Sequence, residues 1–364
     1  MLRAPSCEAP RGEVRRGVFR SSARRGVPPL AAAQRVEYVW SDGAGKSPHY
    51  NSLRSKTRVL SRELPVGGSF PFLAFDGRDS DGLLQPVFSC PDPVRGGNSL
   101  LALCEVLTPA GAPHASNSRA QLRSLLDDRV SDAKPLFSFQ QQWTAFTAAG
   151  RPLAWPDSGV PPPDGPFYCS VGPQNAFGRP LAEAHLDACI KAGLSVRGLN
   201  AEALPGAWDF QIGALGPLEC ADQVLVARWL LHRLGEEFGL VASLSPKPVA
   251  GDWSGAGMHV SLSTEQMRLS GGLSAIEEAI EKLAATHRAH IDVYGPGNEA
   301  RLTGRHGTCD IAMFKAGVAD RGCSICVPRE VQQAGCGYLE DRRPAANADP
   351  YSVCAALLNT VLKS

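Results

Sequence analysis

Apolar and polar side chains alternate along residues 136–144. Phe137, Phe139 and Trp143 take one parity, and Ser138, Gln140, Gln142 and Thr144 take the other. A period of two predicts a strand with one buried face and one face of amides and hydroxyls. The same period returns after the Pro205-Gly206 turn, where Trp208, Phe210 and Ile212 alternate with Asp209, Gln211 and Gly213. Paired symmetrically about that turn, the two arms of residues 198–213 set Glu202 opposite Asp209. Carboxylates so placed repel unless a cation or a proton lies between them. On this stretch alone, a surface hairpin with incidental acids fits as well. Shorter runs predict strands at Tyr38-Val39-Trp40, Arg58-Val59-Leu60, Gln85-Pro86-Val87-Phe88 and residues 100–106. Helical spacing marks residues 118–128, 181–191 (closed by Gly193), 222–238, 274–290 and 350–362. Residues 109–118 read as a linker, and 161–165 as a Pro-rich loop. Strands interleaved with helices give an α+β chain with an exposed antiparallel sheet face.

Length and composition narrow the class. The 364 residues suffice for two domains, and 43% apolar with 20% charged residues is ordinary for a globular protein. A formal charge of +1 gives no reason to expect nucleic acid or an anionic membrane as partner. No apolar run reaches membrane-spanning length; residues 100–107 are short and contain Glu105. The 11 cysteines are scattered and odd in number, with no apolar signal segment before them, so a reduced, cytoplasmic setting is expected. Residues 1–35 are rich in Arg, Ser, Ala and Pro, which suits either a poorly ordered arm or a mitochondrial or plastid transit peptide.

Two motifs fall away. Gly43-Ala44-Gly45-Lys46-Ser47 has the end of a phosphate loop, but Trp40 stands where the pattern requires glycine. Cys323 and Cys326 form a CxxC with Cys309 and Cys336 nearby, but the spacing is irregular for zinc, and buried free thiols are the simpler reading.

An ordered set of motifs remains. It runs Phe75-Asp76-Gly77; Asp92-Pro93 with Arg95-Gly96-Gly97-Asn98; Ala176-Phe177-Gly178-Arg179 with Glu183-Ala184-His185; and the stretch 198–213. It continues through Pro246-Lys247-Pro248, the stretch 251–259, Gly297-Asn298-Glu299, Leu302-Thr303-Gly304-Arg305-His306 and the stretch 337–344. In this order the set resembles glutamine synthetase of the eukaryotic type (class II). The resemblance implies an arm at 1–35, a small N-terminal β-grasp domain at 36–112, and at 113–364 a larger catalytic (guanido-kinase-like) domain on a curved antiparallel sheet. It implies a decamer of two pentamer rings, alone or mixed with an active relative, and glutamate, ammonium and ATP as ligands with Mg²⁺ or Mn²⁺. Such hard cations take carboxylate oxygens, and arginines stabilise a phosphoryl group in transfer. On this resemblance Asp76, supplied by the neighbouring subunit, is the base. Glu202, Asp209, His259 and Glu340 are metal ligands, and Gly255 and His259 touch glutamate. Arg301, Arg321 and Arg342 hold substrate and phosphate, the latter two as catalytic groups. Tyr338 and Ser263 are nucleotide contacts.

The departures from the family pattern cluster in the same place. Gln140 and Gln142 stand where the family has glutamate, as does Asp209, one methylene short. Retreat by about 1 Å at a reacting centre can cost about a hundredfold in rate. Gly307 replaces a glutamate on a flap that shields the intermediate from water. Cys326 replaces a phosphate-facing arginine, a donor whose loss typically costs about 3–4 kcal/mol of transition-state stabilisation. The expectation is therefore a glutamine synthetase fold with weak or lost catalysis and weakened Mg²⁺, Mn²⁺ and ATP binding, or else a non-catalytic paralogue acting by assembly or ligand binding.

Overall fold

The computed structural model describes residues 33–41, 53–76, 81–153, 155–156 and 165–363. Residues 1–32 of the expected arm, the Gly43–Ser47 run and most of the Pro-rich loop at 161–165 lie outside the described residues.

Five strands form the first sheet: β1 (Gln34–Ser41), β2 (Leu53–Leu60), β3 (Leu73–Asp76), β4 (Asp81–Pro91) and β5 (Leu100–Leu107), in the order β2-β1-β5-β4-β3. Strands β1 and β5 run parallel and the other neighbours antiparallel. One face, with Val36, Tyr38, Trp40, Leu84 and Ala102, closes a small core of its own. From the other face Val39, Leu101 and Leu103 join the main core of the molecule. This explains why β5 is buried along its whole length; a strand covered on both faces reads as a continuous apolar run.

The second sheet has eight strands: β6 (Leu136–Thr147), β7 (Val196–Ala201), β8 (Ala207–Leu215), β9 (Leu240–Ser243), β10 (Met258–Ser263), β11 (Ala316–Val318), β12 (Ile325–Val327) and β13 (Leu339–Asp341). It curls in the order β11-β12-β13-β10-β6-β8-β7, with β9 paired to β6. The alternation read from the sequence is observed: Phe137, Phe139 and Trp143 are buried, while Ser138, Gln140 and Gln142 are half-buried on the opposite face. Thr144 departs from it and is fully buried.

Helices cover the apolar face. The Pro217–Phe238 helix packs on β6, β8 and β9, flanked by the Arg179–Lys191 and Pro350–Leu358 helices. The expected helix at 118–128 ends at Leu125, and Asp127 caps a second short helix at Asp128–Asp132. The expected helix at 274–290 breaks at Thr286 into Leu273–Ala285 and His287–Val293. Among the described residues, no helix is long and apolar enough to cross a membrane.

Two buried arginines brace the sheet from behind. Arg228, on the Pro217–Phe238 helix, donates from Nε and Nη2 to Gln141 Oε1 at 2.8 and 2.5 Å, and from Nη2 to the carbonyls of Ala346 and Ala348. Gln141 has the parity of the core face, so its amide meets Arg228 instead of solvent. Arg343 donates to both oxygens of Asp341, from Nε at 2.9 Å and from Nη2 at 2.7 Å, and Tyr294 Oη donates to the same carboxylate at 2.7 Å. Removing one partner of a buried pair strands the other charge. Asp341→Ala is therefore expected to lower stability by about 3–5 kcal/mol in equilibrium urea unfolding; a loss near zero would mean Arg343 has another counter-charge.

Candidate active site

The register of five strands assembles the site. In antiparallel pairs, residues directly opposite project from the same face. Across β6 and β8, Gln140 faces Gln211 and Gln142 faces Asp209. Across β6 and β10, Gln140 faces His259 and Ser138 faces Ser261. Ser261 then faces Glu340 on β13, and Glu340 faces Cys326 on β12. The polar parity of β6 thus lies at the centre of a continuous polar surface, while the opposite parity is sealed in the core.

The hairpin before β8 differs from the symmetric one expected. Ala201 pairs with Trp208 and Asn200 with Asp209, and the Glu202 N–H donates to the Ala207 carbonyl. Glu202 therefore lies opposite Ala207. The turn spans residues 202–206, closed by the Ala207 N–H on the Leu204 carbonyl at 3.0 Å. The register moves by two residues, and an even shift leaves each side chain on its face. Glu202 and Asp209 are still neighbours.

Hydrogen bonds knit these residues together. Gln140 Nε2 donates to Asp209 Oδ2 at 2.5 Å and Gln142 Nε2 to Glu202 Oε1 at 2.8 Å. The Gly257 N–H donates to Gln142 Oε1 at 2.6 Å. His259 Nδ1 lies 3.4 Å from both Gln140 Oε1 and Glu340 Oε1. Arg301 Nη2 lies 3.2 Å from His259 Nε2. A guanidinium only donates, so Nε2 accepts and the imidazole hydrogen belongs on Nδ1, facing Gln140 and Glu340.

Charge is distributed unevenly. Burial, with the neighbouring Glu202 carboxylate adding to it, pushes Asp209 up to about 8. Burial and the neighbouring acid thus both disfavour the charged form of Asp209. Oδ1 of Asp209 is buried without a hydrogen-bond partner. Burial opposes ionisation of Glu340 as well, but His259 and Arg342 outweigh it and draw Glu340 down to about 2. Arg342 Nη1 donates to Glu340 Oε1 at 3.1 Å. Burial, helped by Arg342, lowers His259 and takes Arg301 down to about 9.

A cavity of about 370 Å³ opens beside this network, lined by Ser138, Gln140, His259, Ser263, Tyr338 and Glu340 among others. Gly255 and Gly257 form the neighbouring wall against Arg301. A Cβ on Gly255 would run into the Pro246 carbonyl and the Arg301 stem, and one on Gly257 into the Arg301 guanidinium. Of the remaining residues singled out from the sequence, Arg321 stacks over the Tyr168 ring, 5.4 Å from its centroid. Its carbonyl accepts from Arg342 Nε at 3.2 Å. Gly307 lies on a loop fastened to Asp252 by Arg305 and His306, both within 2.9 Å. Asp76 ends the edge strand β3, paired with Asp81.

Tyr168 escaped the sequence reading, whereas Asp252 and Gln211 lie in the quoted stretches 251–259 and 198–213 without having been singled out as site residues.

As a metal site the donors are incomplete. Among the described residues no three His, Cys, Asp or Glu side chains gather closely enough to hold an ion. Two pairs remain, Glu202 with Asp209 and His259 with Glu340. The amides between them turn N–H groups, which cannot ligate, toward the carboxylates of the first pair. The residues present do not fit the divalent ions of the resemblance.

Comparison with known proteins fits this geometry. Residues 125–287 match the family model described as glutamine synthetase, catalytic domain. A chloroplastic glutamine synthetase of Chlamydomonas reinhardtii is 51% identical over 343 residues, 90% of each chain. The glutamine synthetase of Tuber borchii is 44% identical over 334 residues, 90% of this chain and 91% of its own. A chloroplastic glutamine synthetase of Brassica napus is 43% identical over 337 residues, 90% of this chain and 78% of its own. The chain belongs to the glutamine synthetase family.

The wall at Gly255 gives a direct test. The Pro246 carbonyl is backbone and cannot swing aside, so Gly255→Ala is expected to cost about 1–3 kcal/mol through overpacking. An unchanged denaturation midpoint would show that the wall yields freely.

Proposed function

We propose that this family member keeps the pocket for the family's reactants but joins glutamate and ammonia slowly or not at all. In that reaction ATP phosphorylates the glutamate side chain, and ammonia then displaces phosphate to leave glutamine and ADP. The observation that carries the reading is the pairing of Gln140 with Asp209 and of Gln142 with Glu202. These pairs place amide donors where the reaction needs negative charge to gather cations. The resemblance implies acids at five positions, 140, 142, 202, 209 and 340; two are amides, and burial with Glu202 disfavours the charge on Asp209.

The retained residues take the family's roles in this reading. Arg301, anchored on the carbonyls of Arg342 and Arg343, presents its charge with His259 beside Gly255 for the substrate glutamate. Arg321 and Arg342 face phosphate, and Ser263 and Tyr338 line the nucleotide side. Asp76 of a neighbouring subunit serves as base in a decamer of two pentamer rings, formed by this chain alone or mixed with an active relative. The small sheet and the large one form the N-terminal and catalytic domains. The Arg-rich arm and the chloroplastic relatives support plastid import over a cytoplasmic or mitochondrial setting.

A second reading, a paralogue that binds ligand without chemistry, is favoured by Cys326. It stands opposite Glu340 where the family presents an arginine to phosphate.

Purified protein with ATP, Mg²⁺, glutamate and ammonium is expected to release little glutamine. Turnover equal to that of an active relative measured in parallel would contradict the reading. Gln140→Glu, Gln142→Glu and Cys326→Arg together are expected to raise turnover above any one of them. Gly307 has a φ of 68°, a conformation that strains any side chain, so Gly307→Glu is best added last. Equal behaviour of single and combined variants would show that the lost charges do not limit the rate.

A further inference from the structure

We propose that Gln140 and Gln142 form a metal-free clasp, their amides taking the place of divalent cations in holding β6, the Glu202–Asp209 hairpin and the 257–259 segment together. The proposal rests on the reading of this pocket as a modified glutamine synthetase site, but it concerns what holds the pocket closed and not its turnover.

The hydrogen-bond chemistry fixes the orientation of both amides. An ionised carboxylate only accepts, and a backbone N–H only donates. Gln142 therefore must turn its NH₂ to Glu202 and its oxygen to the Gly257 N–H, at 2.8 and 2.6 Å. Turned over, it would set oxygen against oxygen and donor against donor. Gln140 is oriented from its other end: the hydrogen on His259 Nδ1 takes the amide oxygen at 3.4 Å, which leaves the NH₂ to donate to Asp209 Oδ2 at 2.5 Å. That hydrogen is placed in turn by Arg301 at Nε2. Each amide thus joins an acid on one side of β6 to a donor on the other. A divalent cation between glutamates would make the same connection with the opposite arrangement of charge. An amide reproduces the shape of the carboxylate it replaces and supplies its own positive end.

The exchange is not symmetric. A glutamate at either position brings a second carboxylate within hydrogen-bond distance of the first, and such a pair needs a proton or a cation to coexist. With glutamine the pocket is closed in any buffer. With glutamate its closure becomes conditional on a cation, or a shared proton, between the acids. Gln140 and Gln142 act here as positioning residues, and the dependence on metal separates this role from ordinary packing.

Thermal unfolding of the full chain in EDTA, and in millimolar MgCl₂ or MnCl₂ without nucleotide, tests the clasp. A ligand that binds only the folded state raises the midpoint. The wild-type midpoint is expected to be the same in all three. Q140E/Q142E is expected to melt several degrees lower in EDTA and to recover with either metal. Q140A/Q142A is expected to lose stability that metal does not restore. If the double glutamate variant fails to fold, Q142E alone gives the same contrast on a smaller scale. A wild-type midpoint raised by metal as far as that of the glutamate variant would overturn the proposal, as would a glutamate variant indifferent to metal. Glutamine release by the wild-type chain would defeat the slow-turnover reading, yet a metal-indifferent midpoint would leave the clasp standing.

Discussion

The hydrogen bond from the Gln142 amide to Glu202 depends on one constraint, the two-residue period of β6. Because that strand is central, its polar parity faces β8 on one side and β10 on the other. The acids of the hairpin and the His259 row therefore meet over the same four or five side chains. The opposite parity is committed to the core, where even Gln141 is fixed by a buried arginine. Sliding β6 by one residue would bury the amides and expose Phe137, Phe139 and Trp143, so packing and site geometry are specified together.

Electrostatics then decide what the assembled site does. The pocket is left with Glu340, held by Arg342, and with Glu202 beside an Asp209 whose charge burial disfavours. Arg301 is fully buried, and its partners are carbonyls, an asparagine and His259. A buried cation without a paired acid favours an incoming carboxylate, so the substrate side of the pocket keeps its logic. In the proposed reading, the side that would gather metal and phosphate has lost it. The fold does not suffer, because the altered residues lie on a surface braced from behind by Arg228 and by the Asp341–Arg343 pair.

Much of this was legible in the sequence, for a physical reason. Alternation along residues 137–143 and 208–213 is a local property, and it marked both faces correctly. The ordered motifs pointed to the family, and family membership follows from relatives matched over nine-tenths of the chain. The hairpin register was not legible. Pro205-Gly206 looks like a two-residue turn, but backbone bonding closes a five-residue one, and only the even size of the shift kept Glu202 and Asp209 on one face. Nor was the helix break at Thr286, which no glycine or proline marks. Long-range partners were also invisible: Arg228 and Gln141 are 87 residues apart, and nothing local names either as the other's counterpart. The orientation of the Gln140 and Gln142 amides belongs to the same class, since it is set by Gly257, His259 and Arg301 from distant segments.

In the proposed reading, the pocket no longer gathers divalent cations. Calorimetric titration of MnCl₂ into the purified chain measures this most directly. The expected result is no saturable heat at micromolar metal, with saturable binding appearing once glutamates replace Gln140 and Gln142. Tight, stoichiometric Mn²⁺ binding by the unaltered chain, at a site lost on removing Glu202 or Glu340, would contradict it.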